Sequence, residues 1–273
     1  MTAEPVTTPA VPRDHIPLDI AARAAQADLP TGTEKTALVR SMFDAIAPRY
    51  DLVNRLMTFG LDIRWRKQSV DALALPVGSL VLDLACGTGD FLRILRSEGL
   101  RPMGMDLSWG MLAANRTGEP LAQADVSALP VADSSLDGIT CGYALRNFTD
   151  LQTAFGELGR VVRPGGRISL LEVAEPERPL LLVGHRTWFR HVVPVIGGLL
   201  SDSAAYRYLP KSTAYLPPTT ELRSMLQDAG FSSVNRRALS GGLSQLITAT
   251  RVGRVGPPGR RGRADRVGRI GRP

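Results

Sequence analysis

A short segment in the first third of the chain holds the residue types best suited to binding a nucleotide-like ligand. Residues 81–90 read VLDLACGTGD, an apolar run that leads directly into a turn containing Gly87 and Gly89. Glycine at both positions allows backbone N–H groups to approach a ligand closely, and a helix that starts there favours an anionic group. Because turns use glycine freely, a purely structural turn is the alternative for this pattern taken alone.

Carboxylates after the turn narrow the type of ligand. A dinucleotide fingerprint requires a third glycine three residues after the second, and Leu92 occupies that position, which disfavours a pyrophosphate. Asp106, 17 residues after Gly89, follows the second expected strand, where an acid binds ribose hydroxyls. Asp125 follows the third expected strand, where it can read an adenine. Each acid alone could be a helix cap or a solvated turn residue. Their order at successive strand ends indicates a ribose without a pyrophosphate, as in S-adenosylmethionine.

Alternating strands and helices are expected to position these residues. The pattern predicts strands at 79–85, 101–108, 120–124, 136–143 and 167–173, and helices at 90–99, 109–115, 151–162 and 219–230. Strands at 231–238 and 243–250 then form a closing hairpin, 163–166 reads as a turn, and helices at 35–47 and 62–73 form an N-terminal cap. We therefore expect an α/β, Rossmann-like fold, with a mostly parallel sheet, helices on both faces and a closing antiparallel hairpin.

Composition predicts the organisation of the chain into parts. Residues 1–34, rich in Pro, Thr and Ala, read as a disordered leader, and residues 35–250 as the folded domain with a helical insertion at about 178–215. Residues 251–273 read as a disordered tail that holds eight Arg and one Asp, a charge equal to the +7 of the whole chain. The folded body is therefore neutral, which argues against nucleic acid as its partner.

The remaining composition excludes several classes of protein. The 273 residues are 44% hydrophobic and 22% charged, as in ordinary folded proteins. Cys86 and Cys141 are the only cysteines, and His15, His185 and His191 are not clustered, so we expect no metal site. The N-terminus lacks the features of a signal peptide, and the apolar runs are too short to cross a bilayer, so a cytoplasmic location is expected.

Longer motifs outside the glycine-rich turn follow the order found in one enzyme family. They are FDAIAPRYD at 43–51, Asn54 with Leu56 and Met57, LRN at 145–147, RVVRPGG at 160–166, LEV at 171–173 and YRYL at 206–209. With the LDLACGTGD turn, they closely resemble the ubiquinone/menaquinone biosynthesis C-methyltransferases over about residues 38–250. The resemblance implies a class I methyltransferase fold that moves a methyl group from S-adenosylmethionine to a ring carbon of a polyprenylated quinol.

The resemblance also implies site residues, position by position. On the substrate side it implies Tyr50, Arg146 and Asn147 as catalytic residues. Arg146 would hold the quinolate oxygen and order a water rather than act as a base, because a guanidinium stays protonated. The alternative is that Arg146 and Asn147 only fix the strand end through hydrogen bonds. The expected cofactor-binding residues are Asp83, Gly87, Thr88, Gly89, Asp106, Asp125 and Val126.

Two positions depart from the family pattern. Gly142 stands where many members have a serine after the fourth strand, so one polar cofactor contact would be absent or made by the backbone. Residues 241–251, GGLSQLITATR, lack the His-Arg-Gly of many members. The chemistry itself needs neither metal nor enzyme nucleophile, because a sulfonium methyl group is electrophilic and a quinolate carries negative charge onto its ring carbon. Orientation, a dry site and phenolate stabilisation remain for the protein to supply.

The expected acceptor is a demethylated menaquinol, because an Arg-rich, Lys-poor composition is typical of GC-rich bacteria that use menaquinone. A benzoquinol of ubiquinone biosynthesis is the alternative acceptor, and a non-catalytic S-adenosylmethionine-binding protein is the alternative class. Methylation of nucleic acid and hydride transfer fit the sequence less well. The insertion or the basic tail would contact the inner face of the membrane. The alternatives are that the insertion packs against the sheet or lines a channel for the isoprenoid chain, and that the tail is simply solvated. A homodimer stays an open alternative.

Overall fold

A computed structural model of the protein describes residues 30–174 and 212–253, together with residues 176 and 182. Most of the expected leader, insertion and tail lie outside these described residues. The strands are β1 Leu80–Leu84, β2 Arg101–Asp106, β3 Leu121–Gln123, β4 Leu136–Gly142, β5 Val162–Val173, β6 Phe231–Leu239 and β7 Ser244–Arg251. The described α-helices are α1 Gly32–Ile46, α2 Tyr50–Thr58, α3 Leu61–Asp71, α4 Asp90–Ser97, α5 Trp109–Ala114, α6 Leu151–Val161 and α7 Thr219–Asp228.

The seven strands form one sheet in the order β3-β2-β1-β4-β5-β7-β6. All pairs from β3 to β5 are parallel, and β7 pairs antiparallel with both β5 and β6. The mostly parallel sheet with its closing hairpin, expected from the sequence, is confirmed. The strand order reverses between β1 and β4, and ligands of such sheets bind in the crevice at the carboxyl ends of the strands around that reversal.

Helices cover both faces of the sheet, which explains why its strands are apolar without strict alternation. Leu82 and Leu84 of β1 belong to a cluster with Phe155 of α6. Val81, on the other side of β1, belongs to a second cluster with Phe91 of α4. Burial on both faces fixes the end of β1, and therefore the position of the glycine-rich turn that follows it.

The N-terminal cap consists of three helices rather than the two expected. α1 begins at Gly32, earlier than predicted, and α2 was missed because its nine residues are too few to establish a helical period. The cap has a small hydrophobic core of its own, centred on Leu38, Met42, Ile46 and Val53, to which Met111 of α5 also belongs.

Polar contacts hold α1 over the end of the sheet. Asp44 accepts hydrogen bonds from the Ser108 hydroxyl and from the Gly110 N–H, 2.8 Å away, at the start of α5. Lys35 is buried, donates to the Phe148 carbonyl at 2.8 Å and lies 3.6 Å from the centre of the Tyr215 ring. Burial lowers the pKa of Lys35 to about 8. Asp44 of the FDAIAPRYD motif and Lys35 therefore join α1 to the segments at the end of the sheet.

Two predicted boundaries differ in the structure. The segment 163–166, expected as a turn before β5, is an irregular part of β5 itself, which starts at Val162 and shifts register between Leu136 and Gly138 of β4. β7 extends to Arg251, the first residue of the predicted tail, because its side chain donates to the carbonyls of Gly159 and Gly230. Within the described residues, no helix is both long and apolar enough to cross a membrane.

Candidate active site

The glycine-rich turn lies at the carboxyl end of β1 and leads into α4. Ala85, Gly87 and Gly89 all have positive φ, at 55°, 52° and 93°. A Cβ on Gly89 would lie 2.5 Å from Thr117 Cγ2 and 2.7 Å from Asn115 Nδ2, closer than real contacts allow. Glycine at position 89 is therefore required for packing against the loop after α5, in addition to its backbone conformation.

Asp106, at the end of β2, binds the turn directly. Its two carboxylate oxygens accept hydrogen bonds from the N–H groups of Gly87 and Ser108, both at 2.8 Å. Burial raises the pKa of Asp106, and these two bonds oppose the shift. Each carboxylate oxygen has a further lone pair, so Asp106 can still accept the hydroxyl groups of a ribose.

Asp83 is a buried acid at the next-to-last position of β1. Its Oδ1 accepts a hydrogen bond from Thr140 Oγ1 at 2.9 Å, whereas Oδ2 has no hydrogen-bond partner among the described residues. Burial raises the pKa of Asp83 to about 8. An unpaired buried carboxylate oxygen is unfavourable, so this position suits a ligand that donates a hydrogen bond or carries positive charge.

These acids lie around one cavity at the carboxyl edge of the sheet, with about 1000 Å³ of free space including its open mouth. The cavity brings together eight of the ten predicted site residues: Tyr50, Asp83, Gly87, Thr88, Asp106, Asp125, Val126 and Asn147. Asp125 is exposed at the rim, where its Oδ1 accepts from the N–H and hydroxyl of Ser127. Gly89 and Arg146 are not among the residues that line it.

Helices α1 and α2 line the cavity from the cap side, and Tyr50 is the residue that α2 contributes. Thr88 donates its hydroxyl hydrogen to Asp51, the neighbour of Tyr50, so the cap is joined to the glycine-rich turn. Burial raises the pKa of Tyr50, although Arg66 and a hydrogen bond with Asn54 act in the opposite direction. Tyr50 is therefore a neutral phenol at physiological pH, able to donate a hydrogen bond.

Arg146 and Asn147 lie in a short 3₁₀ turn after β4, and they differ in their surroundings. The Arg146 guanidinium forms an ion pair with Glu172, whose side chain is fully buried, and donates to the Tyr143 carbonyl at 2.8 Å and to Ser212 Oγ at 3.1 Å. For Arg146 this geometry favours the alternative reading, in which the side chain fixes the strand end. Asn147 is also buried, but its Oδ1 has no hydrogen-bond partner among the described residues.

Arg66 of α3 lines the cavity, and no feature of the sequence singled it out. Its side chain is buried, donates to Asp62 at 2.7 Å and lies 3.6 Å from Asp90. Its guanidinium also lies 5.4 Å from the Tyr143 ring centre. In the sequence Arg66 stands beside Arg64 and Lys67, which are exposed, and nothing in residue type distinguishes the three.

The apolar part of the lining is largely aromatic, and it explains the departure at Gly142. Phe43, Phe91, Tyr143 and Phe148 all face the cavity. A Cβ on Gly142 would lie 2.6 Å from Cε2 of Phe91, so the ring of Phe91 occupies the space that a serine would need. Aromatic walls of this kind suit flat ring systems and exclude water. Among the described residues, no group of acids, histidines and cysteines could hold a metal ion.

The strand order, the glycine-rich turn and the acids in β1, at the end of β2 and after β3 are those of the class I S-adenosylmethionine-dependent methyltransferase fold. Solved structures support the fold. The chain is similar to the [4+2]-cyclase SpnF, with TM-score 0.58, 17% identity, and coverage of 82% of this chain and 97% of that one. It is similar also to a Haloferax volcanii complex of the Trm112 activator with a putative methyltransferase, with TM-score 0.56, 18% identity, and coverage of 77% and 98%.

The chain belongs to the ubiE/COQ5 methyltransferase family, whose sequence model matches residues 31–251. It is 42% identical to the ubiquinone/menaquinone biosynthesis C-methyltransferase UbiE of Syntrophotalea carbinolica, covering 78% of this chain and 93% of the relative. It is 41% identical to the demethylmenaquinone methyltransferase of Thermus thermophilus, covering 77% and 100%. The predicted family, fold class, enzyme class and cofactor are thereby confirmed.

Proposed function

We propose that this enzyme methylates a ring carbon of a demethylated menaquinol in menaquinone biosynthesis. The observation that carries the proposal is the unpaired Oδ1 of Asn147, a buried acceptor atom beside a cavity with aromatic walls. A quinol brings both a hydroxyl donor and a flat ring to such a site. The names of several relatives, including those from Thermus thermophilus and Roseiflexus castenholzii, favour demethylmenaquinol as the acceptor.

The residues of the cavity fit S-adenosylmethionine. Asp83 offers an unpaired oxygen to the ammonium group, and Asp106 offers free lone pairs to the ribose hydroxyls. Asp125 and Val126, after β3, would contact the adenine, with Gly87 and Thr88 beside the ligand. When bound, this cofactor supplies an electrophilic methyl group.

On the acceptor side, the residues hold the quinol and control its hydroxyl protons. Asn147 Oδ1 would accept a hydrogen bond from one hydroxyl, and neutral Tyr50 would donate to an oxygen as negative charge develops there. The ring carbon would gain its carbon–carbon bond to the methyl group as the sulfur–methyl bond breaks, which leaves a neutral thioether. The hydrogen on that carbon would then be lost to solvent as a proton, which restores the aromatic ring. Arg146 acts in this proposal as a positioning residue, since it binds Glu172 and the Tyr143 carbonyl.

The acceptor is tested by incubating the enzyme with labelled S-adenosylmethionine and a reduced short-chain demethylmenaquinol, followed by mass spectrometry. Asn147→Ala is expected to raise the KM for the quinol about 10-fold, the usual effect of one lost hydrogen bond, while the affinity for S-adenosylhomocysteine stays unchanged. Asn235→Ala, on the exposed edge strand β6, is the matched control.

Two results would contradict the proposal. Transfer only to a demethoxy benzoquinol would assign the enzyme to ubiquinone biosynthesis, an acceptor that the name of the relative from Syntrophotalea carbinolica also allows. Cofactor binding without transfer to either quinol would favour the non-catalytic alternative.

A peripheral position at the inner face of the membrane belongs to the same proposal, because a polyprenylated acceptor resides in the bilayer. The basic residues after 251 would add attraction to anionic lipids. Removing residues 252–273 is expected to reduce co-sedimentation with anionic liposomes at low salt. Equal sedimentation of the full chain and the shortened chain would remove the tail from the proposal. A homodimer and a cytoplasmic location stay predictions.

A further inference from the structure

Charge around the cavity is distributed unequally. Four aspartates line it, namely Asp83, Asp90, Asp106 and Asp125. Of the described residues that line the cavity, Arg66 is the only arginine or lysine. A buried anionic group of a ligand needs a cationic or hydrogen-bonding partner, because an unpaired buried charge is strongly unfavourable. Arg66 is the single charged side chain that can meet this requirement.

The contacts of Arg66 leave donors for a ligand. Its Nη1 donates to Asp62 Oδ2 at 2.7 Å, and its Nη2 lies 3.6 Å from Asp90 Oδ2, beyond hydrogen-bonding distance. A guanidinium carries five N–H donors in a planar fork that matches a carboxylate. The ion pairs therefore fix the side chain in place, and Nη1 is the only nitrogen of Arg66 with a hydrogen bond to a described residue.

We infer that Arg66 binds the α-carboxylate of S-adenosylmethionine and so determines recognition of the amino-acid end of the cofactor. Asp83 is the complementary group, because it lines the same cavity and its carboxyl group is close enough to Arg66 to interact electrostatically. An α-amino acid carries its ammonium and carboxylate on one carbon, so an anion and a cation placed near each other form a matched pair of sites for it.

This inference rests on the cofactor site described above, and its test measures binding rather than turnover. The two probes are S-adenosylhomocysteine and S-adenosyl-3-thiopropylamine, which keeps the amine but lacks the carboxylate. Isothermal titration calorimetry is expected to show that the wild-type protein binds the first about 10- to 100-fold more tightly than the second, the usual range for a charge-assisted hydrogen bond.

Arg66→Met is expected to remove this preference. The affinity for S-adenosylhomocysteine falls about 10- to 100-fold, whereas the affinity for the amine analogue is unchanged. Arg64→Met is the matched control, because Arg64 lies on the same helix but is exposed, and it is expected to keep the wild-type ratio.

Loss of Arg66 leaves Asp62 with fewer partners and could destabilise the fold. A second pair of variants therefore separates an effect on ligand binding from an effect on folding. Asp62→Asn with Arg66→Met, compared with Asp62→Asn alone, removes the cation without leaving that buried acid charged. The ratio is again expected to fall towards one. The inference would be overturned if the ratio of the two affinities persists without Arg66, or if both ligands lose affinity equally. Arg66 would then be a candidate for contact with the quinol instead. A wild-type protein that binds neither probe would overturn the cofactor site itself.

Discussion

Replacing Asp83 with asparagine is expected to weaken S-adenosylhomocysteine binding about 10- to 100-fold and, at the same time, to stabilise the ligand-free protein. The weaker binding follows from losing the charge that faces the ammonium group. The stabilisation follows from burial, which raises the pKa of Asp83 from 3.8 to about 8 in the folded chain. A buried carboxylate that ligand binding needs but that destabilises the ligand-free protein is an example of the trade-off between activity and stability.

The direction of the pH dependence follows from that shift. Between about pH 4 and pH 8 the folded state holds a proton on Asp83 that the unfolded state has released, so the stability of the wild type falls as the pH rises. Asp83→Asn lacks this proton, and its advantage in melting temperature is expected to grow with pH, reaching at least about 3 °C at pH 8. Asp228→Asn, on the exposed side of α7, controls for the loss of one carboxylate.

Cofactor affinity provides the second measurement of the same group. Binding to ionised Asp83 is expected to strengthen as the pH rises towards 8, by up to about 10-fold per pH unit, because less free energy is spent in removing the proton. The affinity of Asp83→Asn should change much less over this range. A wild-type affinity independent of pH between 6 and 8, together with an unchanged melting profile in the variant, would contradict the assignment.

Arg146→Met is expected to destabilise the protein by about 3–5 kcal/mol, because Glu172 would remain buried as an uncompensated charge. Adding Glu172→Gln should recover most of this loss, since the glutamine Oε1 can still accept the backbone N–H of Val173, now 2.8 Å from Glu172 Oε1. Urea unfolding of the single and double variants measures both values. Arg163→Met, which removes a half-exposed ion pair with Asp137, should change stability by less than about 1 kcal/mol.

Activity of the double variant distinguishes a positioning role from direct contact with the quinolate. If Arg146 positions Asn147 through the Tyr143 carbonyl, methyl transfer should fall about 10-fold with the pH profile unchanged. A guanidinium that stabilised the quinolate directly would lower the pKa of the quinol. Removing the guanidinium would then shift the pH profile of the rate to higher pH. Such a shift would support direct contact between Arg146 and the quinolate oxygen.

Much of the fold could be predicted because its signals are local. Buried parallel strands such as β1 read as short apolar runs, and the turn after β1 is recognisable from Gly87 and Gly89 alone. Asp106 could be placed because the carboxyl ends of parallel strands share one edge of the sheet. Helix α2 was missed because it is only nine residues long, so its apolar positions at 52, 53, 56 and 57 span too few turns to establish a helical period.

The surroundings of two arginines could not be predicted from the sequence, because they depend on partners distant in the chain. Arg66 lines the cavity because α3 packs beside Asp90 and Phe91, and an arginine in an amphipathic helix normally marks its solvent face. Arg146 occupies a motif position typical of substrate contact, yet Glu172, 26 residues later, binds its guanidinium. Such pairings require the three-dimensional arrangement of at least two elements, and no periodicity or spacing encodes them.

The contact between Phe91 and Gly142 couples two positions that lie 51 residues apart in the sequence. Because a Cβ at 142 would meet the aromatic ring at 2.6 Å, the free-energy effects of substitutions at the two positions cannot be additive. A serine at 142 therefore requires the Phe91 ring to move, whereas a smaller side chain at 91 would leave space for it. Exchanging the aromatic ring at 91 for a hydroxyl group at 142 is therefore least unfavourable when both residues change together.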